Sequence, residues 1–387
     1  MGERVTLENW KRPPHLRWAY QHVRELVPTA RIARGEGPPR LLERRPVDLL
    51  GIEHPSPDGS ATTVGGMLAD TSTDGFLVLH RGAIVTELYE NGMSPAGVHL
   101  LQSVSKSVAG SVAGILAGRG ELDPEEQVVH YVPELAGGSF DGATVRHLLD
   151  MRTGTRFSEV YDDPESDILL YEPVIGWSPP RGPLLAPDTW AYIASLENER
   201  QHGDIFEYRS VLTDLLGWLL ERVAGVRYAD LVSRELWSRI GAEQDAEITV
   251  DRHGCALADG GMSASLRDLG RFGQMILEGG RVDGEQIVPA EWIEDTRRGG
   301  DDASRSAFAA SDEGAKRPGW SYRNKWWVLD PDRGTIAALG IHGQTIYVDP
   351  EAELVGVKLS TWPVADEDPL WDLELDAFAA IGRELSG

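Results

Sequence analysis

Two side chains that could carry out nucleophilic catalysis, Ser103 and Lys106, stand three residues apart where a polar stretch gives way to an apolar one. Near the start of a helix this spacing places both on one face, so that the amine can hydrogen-bond the hydroxyl. The helix N-terminus favours negative charge on the hydroxyl oxygen, and a dry helix face disfavours the protonated amine. The pair predicts an activated serine, whose own N–H can form half of an oxyanion hole.

Lysine is scarce in this chain, which makes Lys106 notable. Only five residues are lysine. A serine three residues before a lysine also arises by chance, and a solvated lysine at a helix start is the structural alternative. The apolar run directly after Lys106 predicts burial instead, and a buried lysine needs a partner or a function.

Two further segments could complete such a site. Tyr208 precedes a long apolar segment and is predicted to lie in a loop at a cleft, where a phenol can relay a proton if a nearby cation lowers its pKa. The glycine-punctuated strand 338–344 predicts close approach of a ligand or of another backbone. The structural alternatives are a packed aromatic side chain and a simple bend.

The elements that must position these residues are strands at both ends of the chain and helices between them. Runs 76–79 and 83–89 predict one hairpin, and runs 345–348 and 354–359 predict another. Helical periodicity covers residues 104–117, 213–223 and 370–385. This pattern predicts an α+β layered fold interrupted by a mostly helical insertion.

The same pattern predicts the domain organisation. Residues 1–100 and 245–387 are expected to form an α/β domain with an antiparallel sheet, and residues 101–244 a helical inserted domain. Segment 153–190 is expected to be a long irregular rim loop over a binding site, and segment 31–73 an extended arm.

Composition excludes several functional classes. With 62 acidic and 37 basic residues the net charge is −25, which opposes binding to nucleic acid or to anionic membranes. Cys255 is the single cysteine, so no internal disulfide forms, and it is expected to be a small packed or part-exposed residue and not a thiol nucleophile. The N-terminus carries no apolar run of signal-peptide or membrane-span length, so a cytoplasmic location is predicted.

Other hydrolase classes lack their signatures in this sequence. It contains no His-Glu-x-x-His metal motif and no Gly-x-Ser-x-Gly elbow. We therefore expect no metal and no cofactor. The expected partner is a small-molecule ester or amide substrate, and a homodimer remains an open alternative.

The order of the three segments carries a family resemblance. Ser-x-x-Lys at Ser103, Tyr-x-Ser at Tyr208 and the C-terminal glycine-bearing strand together resemble the serine β-lactamase and penicillin-binding family, in its class C and esterase branch. Residues 13–19, 131–137 and 340–344 are similar to the nylon-oligomer hydrolases of that family. The resemblance implies a β-lactamase/transpeptidase-like fold, with an antiparallel sheet flanked by N- and C-terminal helices.

The resemblance also implies roles for individual residues. Ser103 would be the acylated nucleophile, Lys106 its proton acceptor and Tyr208 the group that protonates the leaving nitrogen. The backbone N–H groups of Ser103 and Ile341 would form the oxyanion hole. The implied substrate-binding residues are Tyr161, Glu172, Ser210, Asp259 and Trp327.

Departures from the family pattern narrow the expected substrate. Ser210 stands where β-lactamases more often keep asparagine, and Ala338 replaces the lysine of their Lys-Thr-Gly strand motif. Without that cation a β-lactam carboxylate loses its main anchor. We expect hydrolysis of a small ester or of a linear amide with a free amino group, which Glu172, Asp162 and Asp163 could neutralise.

Three other functions stay open at this stage. A transacylase, or a D-amino-acid amidase, could use the same scaffold and the same acyl-enzyme. A catalytically silent binding protein is the alternative from a different class, although a binder has no need for a buried lysine beside a serine.

Overall fold

Fifteen strands are assigned in the computed structural model, which describes residues 4–387. In chain order they are β1 (Thr29–Ile32), β2 (Glu53–Pro55), β3 (Ala61–Thr63), β4 (Thr73–His80), β5 (Ala83–Tyr89), β6 (Val98–Leu100), β7 (Ala246–Thr249), β8 (Met262–Ser265), β9 (Arg281–Val282), β10 (Glu285–Gln286), β11 (Ser321–Arg323), β12 (Trp326–Asp330), β13 (Thr335–Gly340), β14 (Gln344–Asp349) and β15 (Leu354–Ser360). Seven of them form one antiparallel sheet in the order β11-β12-β13-β14-β15-β4-β5.

Fourteen α-helices are assigned in the same residues. They are α1 (Leu16–Tyr20), α2 (Val64–Asp70), α3 (Val104–Gly118), α4 (Val128–Tyr131), α5 (Val145–Leu149), α6 (Asp167–Ile175), α7 (Thr189–Ala194), α8 (Val211–Ala224), α9 (Tyr228–Val232), α10 (Leu266–Leu277), α11 (Ala290–Arg297), α12 (Asp302–Ala309), α13 (Asp312–Lys316) and α14 (Asp368–Ser386). No helix among residues 4–387 is long and apolar enough to cross a bilayer.

Both predicted hairpins are confirmed, and they are neighbours in the large sheet. β4 and β5 pair through a turn in which Arg81 and Gly82 adopt φ angles of 50° and 75°. Positive φ at both central positions matches the twist of the flanking strands. β14 pairs with β15, and β15 pairs with β4, so a strand from the C-terminal part of the chain lies beside a strand from the N-terminal part. The α+β fold class is therefore confirmed.

Helices cover both faces of this sheet. On one face Phe378 of α14 stacks on Phe76 and Tyr347, with ring centroids 5.7 and 5.3 Å away. On the other face α10 lies directly on the strands. The helix is so close that a Cβ added at Gly270 would stand only 2.5 Å from the Leu77 side chain. The apolar side chains buried between these layers supply the main stabilisation.

A buried ion pair joins α14 to the sheet. Lys358 of β15 donates to the carboxylate of Glu374 at 2.7 Å, and both side chains are fully buried. Burial lowers the pKa of Lys358 and raises that of Glu374, and each partner opposes the shift of the other. Such a pair is retained in an apolar interior because each charge compensates the other.

Helix α3 runs through the centre of the molecule. Every residue from Val104 to Leu116 is buried, and the helix contacts α8 on one side and β12 and β13 on the other. Residues 101–244 hold α3 to α9 and none of the strands named above. The predicted division into an α/β domain and a helical inserted domain stays a prediction.

Two segments differ from their predicted character. Segment 153–190 was expected to be irregular, but it contains α6 and the start of α7. Segment 31–73 was expected to be an extended arm, but it contains β2, β3 and α2. α6 was missed because Pro173 lies inside it, and proline normally ends a helix. Strands of three residues are too short to show alternation.

Candidate active site

The start of α3 places Ser103 at the floor of a cleft. Strand β6 ends at Leu100, and Gln102 then adopts φ 49°, an uncommon conformation for a residue other than glycine. The Gln102 side-chain amide donates to the hydroxyl of Tyr20 at 2.5 Å, which anchors this turn to the N-terminal segment. Ser103 is consequently half-buried at the N-cap position of α3, with its hydroxyl facing the cleft.

Lys106 lies one turn further along α3 and is 1% exposed. Its Nζ donates to Ser103 Oγ at 2.8 Å, to Ser210 Oγ at 2.9 Å and to the main-chain oxygen of Asp259 at 2.8 Å. All three acceptors are uncharged. The amine therefore has no carboxylate among its direct hydrogen-bond partners, unlike a buried lysine held in a salt bridge.

Glu159 determines the direction of the hydrogen bonds around this amine. Its carboxylate accepts from the N–H and the hydroxyl of Ser210, both at 2.6 Å, and from the Tyr161 hydroxyl at 2.5 Å. Because the Ser210 hydroxyl gives its hydrogen to Glu159, its oxygen must accept from Lys106. The Asp259 carbonyl can only accept as well. A neutral Lys106 would therefore direct its lone pair at Ser103.

Tyr208 stands on the other side of Ser103. Its hydroxyl lies beside Ser103, and Lys106 Nζ lies 5.2 Å from the centre of its ring. The ring stacks on Trp327 with centroids 5.5 Å apart, so the predicted indole wall holds the phenol in place. The structure thus brings Ser103, Lys106 and Tyr208 together, as the sequence predicted.

The condition set for Tyr208 as a proton relay, a pKa lowered by a nearby cation, is not met. Burial and the negative charge of Glu159 raise the pKa of Tyr208 well above its usual value, opposed by the interaction with Ser103. A phenol in this environment keeps its proton at neutral pH. It is suited to donating a proton to a leaving group and unsuited to removing one from Ser103.

The glycine-bearing strand meets α3 as expected. A Cβ on Gly340 would stand 2.4 Å from the Leu101 carbonyl oxygen and 3.0 Å from the Ser103 nitrogen, so only glycine fits there. This approach brings the end of β13, and Ile341 after it, beside the Ser103 backbone. Ile341 and Ser103 both line the cleft. The oxyanion hole formed by the Ser103 and Ile341 N–H groups stays a prediction, and their shared position at the cleft is compatible with it.

A pair of buried carboxyl groups lies behind Lys106. The side chain of Asp214 accepts from the Tyr171 hydroxyl at 2.9 Å and from the Asp259 N–H at 3.0 Å. Burial and repulsion from Asp259 raise the pKa of Asp214 well above its usual range. Burial also raises the pKa of Asp259, against the opposing effect of Lys106. Asp259 therefore contributes its main-chain oxygen to Lys106, and its side chain belongs to this carboxyl pair.

Two chambers open onto Ser103. The first chamber, of about 890 Å³, lies between the N-terminal segment and the rim 161–185. The second chamber, of about 940 Å³, lies between the rim and residues 311–320 and is rich in aromatic side chains. Ser103, Tyr161 and Ile341 line both chambers. A linear substrate can therefore extend in both directions from the nucleophile.

The predicted substrate-binding residues divide between these chambers. Ser210, Asp259 and Glu172 line the first chamber, and Trp327 lines the second. Glu172 is already ion-paired with Lys11. Asp162 is exposed on the wall of the first chamber.

Asp163 was also expected to meet a substrate ammonium. It is exposed, and it does not belong to the wall of either chamber among residues 4–387. The Tyr161 hydroxyl was expected to bind the substrate amide, and here it is engaged by Glu159.

Sequence reasoning missed two residues of this site, Glu159 and Lys11, and a buried lysine beside it, Lys325. Lys325 is 2% exposed and contacts the Met151 sulfur at 3.3 Å. Burial and the nearby Lys106 lower its pKa well below 10.5. The scarcity of lysine could have drawn attention to Lys325. No local signal marks Glu159, which reaches Ser210 across 51 residues.

Comparisons with known proteins agree with this geometry. Residues 61–380 match the family model described as Beta-lactamase. The 6-aminohexanoate-dimer hydrolase of Paenarthrobacter ureafaciens is 39% identical over 382 residues, which cover 98% of this chain and 94% of that protein.

Solved structures are similar as well. A protein from Bacillus anthracis, assigned as a 6-aminohexanoate-dimer hydrolase, superposes with a TM-score of 0.90 at 28% identity, covering 99% of this chain and 97% of its own. A family VIII carboxylesterase superposes with a TM-score of 0.60 at 17% identity, covering 81% of this chain and 96% of its own. This likeness shows the shared fold alone. The chain belongs to the β-lactamase family.

Proposed function

We propose that this chain is a serine hydrolase that cleaves a small carboxylic ester or a linear amide through an acyl-enzyme on Ser103. The observation that carries the proposal is the set of partners around Lys106. Two of its three hydrogen bonds, to Ser210 and to the Asp259 carbonyl, can only be donated. The remaining direction points at Ser103, so the neutral amine is placed to take the hydroxyl proton.

The residues around Ser103 support a complete reaction. Ser103 Oγ attacks the substrate carbonyl while its proton passes to Lys106, and the N–H groups of Ser103 and Ile341 stabilise the oxyanion. Tyr208, kept protonated by burial, gives its proton to the leaving oxygen or nitrogen and recovers one from the Lys106 ammonium. Water then attacks the ester carbonyl of the acyl-enzyme, and the reverse transfers release the acid.

The positions of the proton carriers orient the substrate. Tyr208 lines the second chamber, and Ser210 and Asp259 line the first. Because Tyr208 must reach the leaving group, the leaving group would occupy the second chamber and the acyl chain the first. A substrate that fills both chambers is linear, which favours open-chain amides and esters over the compact ring of a β-lactam.

Covalent labelling tests the proposal directly. A fluorophosphonate should add to the intact protein once, at Ser103, and the protein should hydrolyse p-nitrophenyl esters and linear amides. The Ser103→Ala variant should lose both labelling and turnover. Ser94→Ala, which alters an exposed serine outside the cleft, should keep both. Labelling that persists in Ser103→Ala would contradict the proposal.

The final acyl acceptor needs a separate measurement. The second chamber is empty once the leaving group departs, so an amine could enter it and take the acyl group, which is the transacylase alternative. Breakdown of the acyl-enzyme should be measured with and without an added primary amine. Acid as the main product supports hydrolysis, and preferential amide formation supports acyl transfer.

A further inference from the structure

The first chamber carries an ion pair that the proposed mechanism does not use. Lys11, in the N-terminal segment, pairs with Glu172 of α6, and both side chains line the chamber. Their side chains are 23% and 16% exposed, so solvent screens the pair less than it screens a fully exposed one. The pair stands where the end of an acyl chain would lie.

The backbone holds Lys11 firmly against the rim. The neighbouring Trp10 is fully buried, and its indole N–H donates to the Trp177 main-chain oxygen at 2.8 Å. The two indole rings meet edge to face with centroids 5.4 Å apart. Trp177 follows α6 in the chain, so Lys11 and Glu172 are brought together by two anchored segments.

The pair changes what the first chamber can bind. A lone carboxylate at Glu172 would attract a substrate ammonium, but Lys11 already neutralises it and repels a second cation. Two more cations, Arg12 and Arg181, line the same chamber, while Glu8 and Asp162 add negative charge. Apart from Asp259, whose pKa burial raises, three cations and three carboxylates line the chamber, so no uncompensated carboxylate is left to attract an ammonium group.

We infer that Lys11 is a specificity-determining residue, which makes the first chamber prefer an uncharged acyl chain over one that ends in an ammonium group. The inference rests on the proposed function, because it assigns the acyl chain to this chamber.

Matched esters test the inference. The p-nitrophenyl esters of hexanoic acid and of 6-aminohexanoic acid differ only in the terminal ammonium. The wild type should have the higher kcat/KM for the hexanoyl ester. Lys11→Met frees Glu172 and should shift the ratio of the two kcat/KM values about tenfold toward the ammonium ester, the worth of one charge-assisted hydrogen bond.

A second variant covers the case in which Lys11→Met does not fold. Glu172→Gln leaves Lys11 without its carboxylate and should shift preference toward the mono-p-nitrophenyl ester of adipic acid, whose chain ends in a carboxylate. Lys11→Arg keeps the charge and should keep the wild-type ratio. Lys316→Met removes a lysine from the second chamber and should also leave the acyl preference as it was.

Binding without turnover separates this inference from the proposed function. In the Ser103→Ala background, the affinities for hexanamide and 6-aminohexanamide are measured by calorimetry with and without Lys11→Met. A shift toward 6-aminohexanamide supports the role of Lys11 even if no ester is hydrolysed, which would overturn the proposed function alone. Unchanged ratios in both the binding and the ester experiments overturn the inference.

Discussion

Two fully buried lysines in this molecule have opposite surroundings. Lys358, between the large sheet and α14, donates to the carboxylate of Glu374 at 2.7 Å. Lys106, at the start of α3, donates only to two hydroxyl oxygens and one carbonyl oxygen. Burial of a lysine therefore does not mark a reactive site by itself. The charge of its partner separates a lysine that stabilises the fold from one that is placed to accept a proton.

A third buried lysine strengthens the contrast. Lys325 has no carboxylate among its hydrogen-bond partners in the described residues, and burial followed by the nearby Lys106 lowers its pKa well below 10.5. Lys325 thus belongs with Lys106 in electrostatic terms, although it does not line the cleft.

The largest predicted effect comes from Lys106→Met. Loss of the proton acceptor should lower kcat/KM for p-nitrophenyl esters about a thousandfold or more. The free energy of unfolding should fall by no more than about 2 kcal/mol, because the partners left behind are uncharged. Ester kinetics and urea unfolding check both parts. Activity within tenfold of the wild type would break the comparison.

Lys358→Met should show the reverse pattern. It leaves Glu374 buried without its partner, and the free energy of unfolding should fall by about 3–5 kcal/mol. The activity of the molecules that remain folded should match the wild type. Replacing both partners, in Lys358→Met with Glu374→Leu, should restore most of the stability, as measured by urea unfolding. A double variant no more stable than the single one would argue against a compensating pair.

Tyr208→Phe sharpens the comparison by separating the two proton transfers. Amide hydrolysis should fall about a hundredfold, because the leaving nitrogen loses its proton donor. Hydrolysis of p-nitrophenyl esters should fall less, because p-nitrophenolate leaves without a proton. The measurement is the ratio of amide to ester kcat/KM, with Tyr131→Phe as a control outside the cleft. Equal losses on both substrates would contradict the assigned role.

The smallest predicted effect is on the pH dependence of stability, and it comes from a buried imidazole instead of a buried lysine. Burial lowers the pKa of His342 to about 4, opposed by its hydrogen bond to Trp362. Between pH 6.5 and about 4 the unfolded chain takes up a proton that the folded chain resists, so stability is lost as the pH falls through this window. Between pH 7 and pH 5 this loss should be about 2 kcal/mol.

His342→Asn should remove that part of the pH dependence. Asparagine tolerates the φ of 62° at this position and does not titrate. Urea unfolding of both proteins at pH 7 and pH 5 gives the difference directly, since the other titrating groups are common to both. An identical loss in the variant would show that His342 is not responsible.

The sequence predicted the features that depend on local pattern. The hairpins β4-β5 and β14-β15, the helices α3, α8 and α14 and the grouping of Ser103 with Lys106 all follow from short-range spacing. Tyr208 was assigned to the same site from the order of the three motifs along the chain, which carries the family resemblance. These signals act within one element, where periodicity and turn chemistry determine the structure.

Features that depend on distant contacts were not predictable. Glu159 reaches Ser210 across 51 residues, and Lys11 reaches Glu172 across 161. The direction of the Tyr208 pKa shift was not predictable for the same reason, because burial and the distant Glu159 determine it. A charge far away in sequence leaves no local pattern, although it can decide which protonation state a buried group adopts.

The N-terminal segment has a practical consequence for engineering. Residues 7–20 provide one wall of the first chamber and hold Gln102 through Tyr20, yet they precede the region matched by the family. Exchange of residues 7–12, which line the chamber but precede the Tyr20 anchor, should therefore retune which acids this scaffold accepts while the turn that positions Ser103 is kept.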